Sequence, residues 1–155
     1  MNKIITLEWI KYGNVNLNAG KELFEDNIDE FNIIICFLMQ QSVEKYLKAY
    51  LIFNDIEINE VNKNKIHDIG RLINYCEKID SSFNILFKLN VDILSEYAIN
   101  SRYPFPSKVI TLEDTIEALS IAERVKSFIN EKIKIKDNSI INKKSNNNDD
   151  FNRDR

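Results

Sequence analysis

QQSVEKYLKAYL, residues 40–51, is entered from an almost purely apolar run, 33–39, and leads out through another, 50–53. Two glutamines, a glutamate and two lysines therefore interrupt one of the most apolar segments of the chain. At 100° per residue, Cys36, Met39, Val43, Tyr46, Leu47 and Tyr50 share one face of a helix expected over about 29–54. Gln41, Glu44 and Lys48 fall close together on the other, with Ile34, Leu38 and Ile52 near the edge of that stripe. A helix that is apolar nearly all round is central in its protein. Its polar stripe must then meet water, a ligand, a partner subunit or another polar group. Two readings follow from spacing. In one, Glu44 and Lys48 form a solvated i,i+4 pair worth about 0.2–0.5 kcal/mol. In the other, Gln41, Glu44 and Lys48 line a polar groove.

The rest of the chain reads as helices arranged around this one. A first helix is expected over about 4–25, with Ile5, Trp9, Tyr12, Asn16, Ala19 and Leu23 along one face. Gly13 and Gly20 stand seven apart in it. Glycine costs roughly 1 kcal/mol in a helix interior, so the pair suggests a neighbouring helix that approaches closely. A third helix covers about 67–78. A fourth opens at Ser81 or Ser82 and carries Phe83, Leu86, Phe87, Asn90, Ile93 or Leu94, and Tyr97 on its buried side. Pro104 and Pro106 end it. Thr111 opens a fifth, with Glu113 and Asp114 in its first turn and a stripe of Leu112, Ile116, Leu119, Ala122, Lys126 and Ile129. The expectation is an all-α, antiparallel up-and-down bundle of about five helices over 1–133. A polar tail, 134–155, is expected to be disordered, and KIKIKDNSII, residues 132–141, which runs into it, is the one strand-like piece.

Composition is that of an ordinary globular domain, 44% apolar and 29% charged over 155 residues. Three glycines and two prolines write few turns. Six of the 21 basic and four of the 24 acidic residues fall from Lys134 onward, leaving 15 against 20 in the body. An acidic body disfavours non-specific binding to nucleic acid. Cys36 and Cys76 have neither metal-ligand spacing nor a partner motif and read as reduced core thiols of a cytoplasmic protein. No segment reaches about 18 uncharged apolar residues, so no membrane span is expected. A zinc site, a phosphate-cradling glycine loop and a nucleophile elbow are all missing from the pattern, and no cofactor is expected.

Two further places carry chemistry. In YAINSRYPFP, residues 97–106, Arg102 follows a helix end and precedes two aromatics alternating with two prolines. Such a corner could hold a guanidinium for a carboxylate or phosphate, with Glu44 as an internal partner, or it could cap a helix. His67, the sole histidine, precedes Asp68 at a helix start and reads as local structure or as an accessory group that titrates near neutrality.

The order of Trp9 in an amphipathic first helix, QQSVEKYLKAYL, IHDIGRLI, SRYPFP and a last amphipathic helix resembles the HEPN domain over about residues 5–133. More narrowly, it is similar to the branch with a Q-Q-x-x-E-K-x-L-K-A helix and an R-Y-P corner. The resemblance implies an antiparallel helical bundle, commonly a homodimer, associated with minimal nucleotidyltransferases, sometimes as a toxin–antitoxin type module. It implies a non-catalytic subunit binding a nucleotide or a substrate, with a groove lined by Gln41, Glu44, Lys48, Tyr97, Arg102 and Tyr103 that takes a phosphate-bearing ligand or a partner. Many other HEPN proteins are metal-independent ribonucleases or toxins with an Arg, four to six residues and then a His. No histidine follows Arg102 in this chain, and Glu60, Val61 and Asn62 occupy the positions where an Arg would precede His67. Metal-free RNA cleavage needs a base, which an arginine cannot be. The alternatives are a ribonuclease with Arg102 as its key residue, and a pure dimerisation module.

Overall fold

The computed structural model describes residues 2–57, 67–104 and 108–151, with side chains as far as Lys134. Six α-helices are present among them: α1 (Lys3–Glu25), α2 (Asn32–Phe53), α3 (Ile69–Glu77), α4 (Asn84–Lys88), α5 (Leu94–Asn100) and α6 (Leu112–Phe151). No strand occurs among the described residues. The backbone of the strand-like run after Lys134 continues α6. Ile133 is the last described side chain seated against the core. The tail expected over 134–155 follows it, and its side chains from 135 onward lie outside the described residues.

Helix α2 is the centre. Its face of Cys36, Met39, Val43, Tyr46, Leu47 and Tyr50 is buried throughout, as its periodicity requires. Gly13 of α1 faces Tyr46, and Gly20 faces Met39 and Ile35, so the two helices run antiparallel in close contact. A Cβ at Gly13 would stand 2.6 Å from Tyr46 Cε1, on a buried ring, whereas one at Gly20 would meet only the flexible end of Met39. Gly13 therefore allows the close approach of the two helices. Ser42 Oγ donates to the Gly13 carbonyl at 2.8 Å, and the Tyr46 hydroxyl to Asn14 Oδ1 at 2.7 Å.

The buried face of α1 differs from the expected one. Thr6, Gly13, Leu17 and Gly20 are buried, with Ile10 and Phe24 packed beside them. Ile5 and Tyr12 are exposed instead, and Trp9, Asn16, Ala19 and Leu23 are only half-buried. Small residues share the contact with one fully buried large one, Leu17. On α6, Thr115, Ala118, Ile121, Ala122, Val125 and Ile129 are buried, Ala122 and Ile129 as expected, while Leu112 and Ile116, expected inside, are exposed. Both flanking helices thus mix small and large residues under the bulky side chains of α2.

Helix starts follow local chemistry. Thr111 and Asp114 form a reciprocal box: the Asp114 N–H donates to Thr111 Oγ1 at 3.2 Å, and the Thr111 N–H to Asp114 Oδ2 at 2.9 Å. Asp68 caps α3 by accepting from the Arg71 N–H at 3.1 Å. The expected fourth helix is split. Asn90, at φ 54°, turns the chain between α4 and α5, a left-handed conformation that asparagine tolerates. Asp80, rather than a serine, caps the entry by accepting from the Ser82 N–H at 2.9 Å. The same carboxylate takes a 2.8 Å bond from Lys132, tying α6 to this corner. Cys36 and Cys76 are free and buried, and burial pushes both thiols up, Cys36 to about 11. No described helix is long and apolar enough to cross a membrane.

Candidate functional site

Gln40, Gln41, Glu44, Lys45 and Lys48 of α2 form a single hydrogen-bonded chain that runs from the half-buried Lys45 to the buried Lys48. Lys45 Nζ donates to Gln41 Oε1 at 3.2 Å, and Gln41 Nε2 to Gln40 Oε1 at 2.7 Å. Gln40 Nε2 lies 3.1 Å from both Glu44 Oε2 and the His67 carbonyl. Lys48 Nζ reaches Glu44 Oε1 at 2.6 Å. The imidazole Nδ1 of His67 lies 3.2 Å from Glu44 Oε1 and 3.4 Å from Oε2. A solvated i,i+4 pair is therefore not what the stripe contains: Glu44 is 5% and Lys48 4% exposed. The face of Trp9 closes over this pair, with Lys48 Nζ 5.6 Å from its ring centroid.

Burial by itself pushes the Glu44 carboxyl up. The Lys48 hydrogen bond and charge, the Gln40 bond and the neighbouring His67 outweigh it, and the net shift is downward. Glu44 is consequently a fixed anion and a weak base. Burial is likewise the largest influence on Lys45, lowering its affinity for a proton, with Glu44 opposing and Lys48 reinforcing. His67 differs from the rest of the cluster in being open, its side chain 60% exposed. With Nδ1 committed to a carboxylate, the neutral ring carries its hydrogen there and turns a bare Nε2 elsewhere.

The remaining candidates sit apart from this network in their bonding. Tyr97 is buried, and its hydroxyl donates to Asp114 Oδ1 at 3.4 Å, at the start of α6. Lys108 completes that corner with a 2.9 Å bond to the same oxygen. Arg102 and Tyr103 follow the end of α5. The Arg102 N–H closes the last turn on the Ile99 carbonyl at 3.2 Å, while its side chain is exposed, and Tyr103 is 63% exposed. Among the described residues no carboxylate holds the guanidinium. The anticipated Arg102–Glu44 pairing is replaced by Lys48, Gln40 and His67, which occupy both Glu44 oxygens. Phe105 and Pro106, the far side of the expected corner, lie outside the described residues.

The structure thus brings Gln41, Glu44 and Lys48 together with His67 and hands Tyr97 to a different acid. Sequence reasoning ranked His67 as an accessory and did not connect it to Glu44, 23 positions away. The nearest available signal was Asp68, whose capping of α3 fixes the backbone just after the histidine. Gln40, the first residue of the quoted stretch, was also passed over, although it joins both halves of the network. No group of three or more potential metal ligands occurs among the described residues.

Comparison with known proteins agrees with the fold. No curated protein matches the chain. Among solved structures, one described as an archaeal HEPN homologue superposes with a TM-score of 0.57 at 23% identity, covering 83% of this chain and 97% of that one. The HEPN domain is matched over residues 6–133, from the first buried residue of α1 to the last core contact of α6. The chain belongs to the HEPN domain family.

Proposed function

We propose that this protein is a non-catalytic HEPN subunit that binds a nucleotide or another phosphate-bearing group at Arg102 and Tyr103, in the service of a minimal nucleotidyltransferase. The observation that carries this reading is the state of the Arg102 side chain, exposed after α5 with no carboxylate partner among the described residues. A guanidinium in that condition is available for a bidentate bond to phosphate, and the exposed Tyr103 ring beside it in sequence offers a stacking surface for a base. Glu44 supports the non-catalytic half of the reading, because a buried carboxylate shifted downward and saturated by Lys48, Gln40 and His67 is poorly placed to take a proton. In this reading the Gln41–Glu44–Lys48 network stiffens α2, and Tyr97 anchors α5 to α6. Pairing of two copies and a toxin–antitoxin setting belong to the same proposal.

A thermal-shift screen of nucleotides tests it. A ligand at 100 times its dissociation constant adds about 2.7 kcal/mol. The shift is expected in the native protein and lost in Arg102→Ala, with unchanged helical circular dichroism. No shift with any nucleotide, or an equal shift in the variant, refutes the reading.

One observation favours the metal-independent ribonuclease as a second reading. A buried carboxylate holding one nitrogen of an exposed imidazole is the arrangement that orients a histidine base. Growth arrest and RNA loss on expression, abolished in Arg102→Ala and in His67→Ala, would select it over the binding subunit.

A further inference from the structure

The outer face of α1 carries a groove that the Arg102 corner does not use and that meets the Glu44 network only through Trp9 and Lys45. Ile4, Ile5, Glu8, Trp9, Tyr12 and Lys45 line about 320 Å³ of it, and its walls are almost wholly apolar. Its aromatic residues are held differently. Trp9 has Lys48 behind one face, which fixes the ring. Tyr12 is 59% exposed on the next turn. At the rim stands Lys45, half-buried, its ammonium bonded to Gln41 Oε1 at 3.2 Å and the Gln41 carbonyl at 3.4 Å, with no ion pair among the described residues. The nearest carboxylate on its own helix, Glu44, is already paired with Lys48. Glu8, the acid in the groove wall, has Lys11 3.9 Å away.

We propose that this groove binds an aromatic anion, a planar ring against Trp9 and Tyr12 with its phosphate or carboxylate on Lys45 Nζ. The size fits such an occupant. Small-molecule sites begin at about 300 Å³. The charge fits as well, since the ammonium without an ion pair beside an apolar wall is complemented by one anionic group at the edge of a ring. The partial burial that makes Lys45 costly as a lone cation becomes an advantage when an anion sits against it. The inference is independent of the Arg102 reading: the two use different residues on different helices.

Trp9 is the single tryptophan, so its fluorescence reads this groove directly. Phenyl phosphate, adenosine monophosphate and phenylacetate are titrated as probes, with adenosine as a ring without the anion and inorganic phosphate as an anion without the ring. Saturable quenching by at least one of the first three is expected, with phosphate and carboxylate sources told apart by which probe wins. Adenosine should bind at least tenfold more weakly, and inorganic phosphate should leave Trp9 unchanged. Lys45→Gln should weaken the response at least tenfold, and Tyr12→Ala, an exposed position that leaves the core alone, should weaken it as well. Repeating the titration in Arg102→Ala separates the two sites: persistence of the quench supports the groove, and its loss assigns the binding to Arg102 and overturns the groove. Absence of any saturable response overturns it too. So does a change in Trp9 emission with protein concentration alone, which would mean that a second copy fills the face.

Discussion

The Glu44 network and the Arg102 corner are both polar, and their side chains are in opposite states. Glu44 and Lys48 are almost fully enclosed, and each Glu44 oxygen is spoken for. Arg102 and Tyr103 are open, and no carboxylate among the described residues engages the guanidinium. Burial decides what each can do. An enclosed ion pair has given up hydration and depends on its partners, so its charges are committed to the fold. An exposed guanidinium has given up nothing and remains free for a ligand. Charged residues in a short motif thus divide into those that build the molecule and those that face outward.

The largest expected effect comes from breaking the enclosed pair on one side. Lys48→Met leaves the Glu44 carboxylate buried without its closest cation and should lower stability by about 3–5 kcal/mol in urea denaturation. Glu44→Leu combined with Lys48→Met should recover most of that loss, because no uncompensated charge then remains. If the double variant is as unstable as the single, the pair is not the unit described here.

Acid titration sharpens the same contrast. The Glu44 carboxyl is lowered in the fold from an ordinary value of 4.5. Its contribution to stability is therefore fully present above that value and is lost as pH falls through the lowered folded one. In Lys48→Met the chief opponent of burial is gone. Stability followed by denaturant midpoints should then no longer fall across that range on account of Glu44.

At the small end, Arg102→Ala should change stability by less than about 0.5 kcal/mol, as a substitution at an exposed position does. A larger loss would move Arg102 to the structural side of the comparison.

The centre of the fold was legible because α2 is bulky and apolar, and side-chain period alone assigns its faces. The flanking helices were harder to read. Their periodicity pointed to the large apolar residues, Ile5 and Tyr12 on α1, Leu112 and Ile116 on α6, and these are exposed. Much of the true contact is made by Thr6, Gly13, Gly20, Thr115 and Ala118, which carry little hydrophobic signal, alongside Leu17, Ile121, Val125 and Ile129. Only the seven-residue spacing of the glycines announced a close approach. The break at Asn90 was missed because hydrophobic spacing survives across it, from Leu86 to Leu94. Within the site, the i,i+4 partners Glu44 and Lys48 were readable from one helix. The contribution of His67 was not, since it arrives from another segment and only the tertiary fold brings it to Glu44.

Gly13 has a mechanical side. A helix that lies on its neighbour through glycines has few protruding knobs there, Leu17 between them being the one fully buried. Two pegs add to that knob where the helices touch: the Ser42 hydroxyl on the Gly13 carbonyl and the Tyr46 hydroxyl on Asn14. Trp9 rides on the turn immediately before them. Displacing α1 by even a fraction of a turn would carry the indole off the Lys48 ammonium, so the knob and the two small bonds together keep the aromatic wall in alignment with the charge.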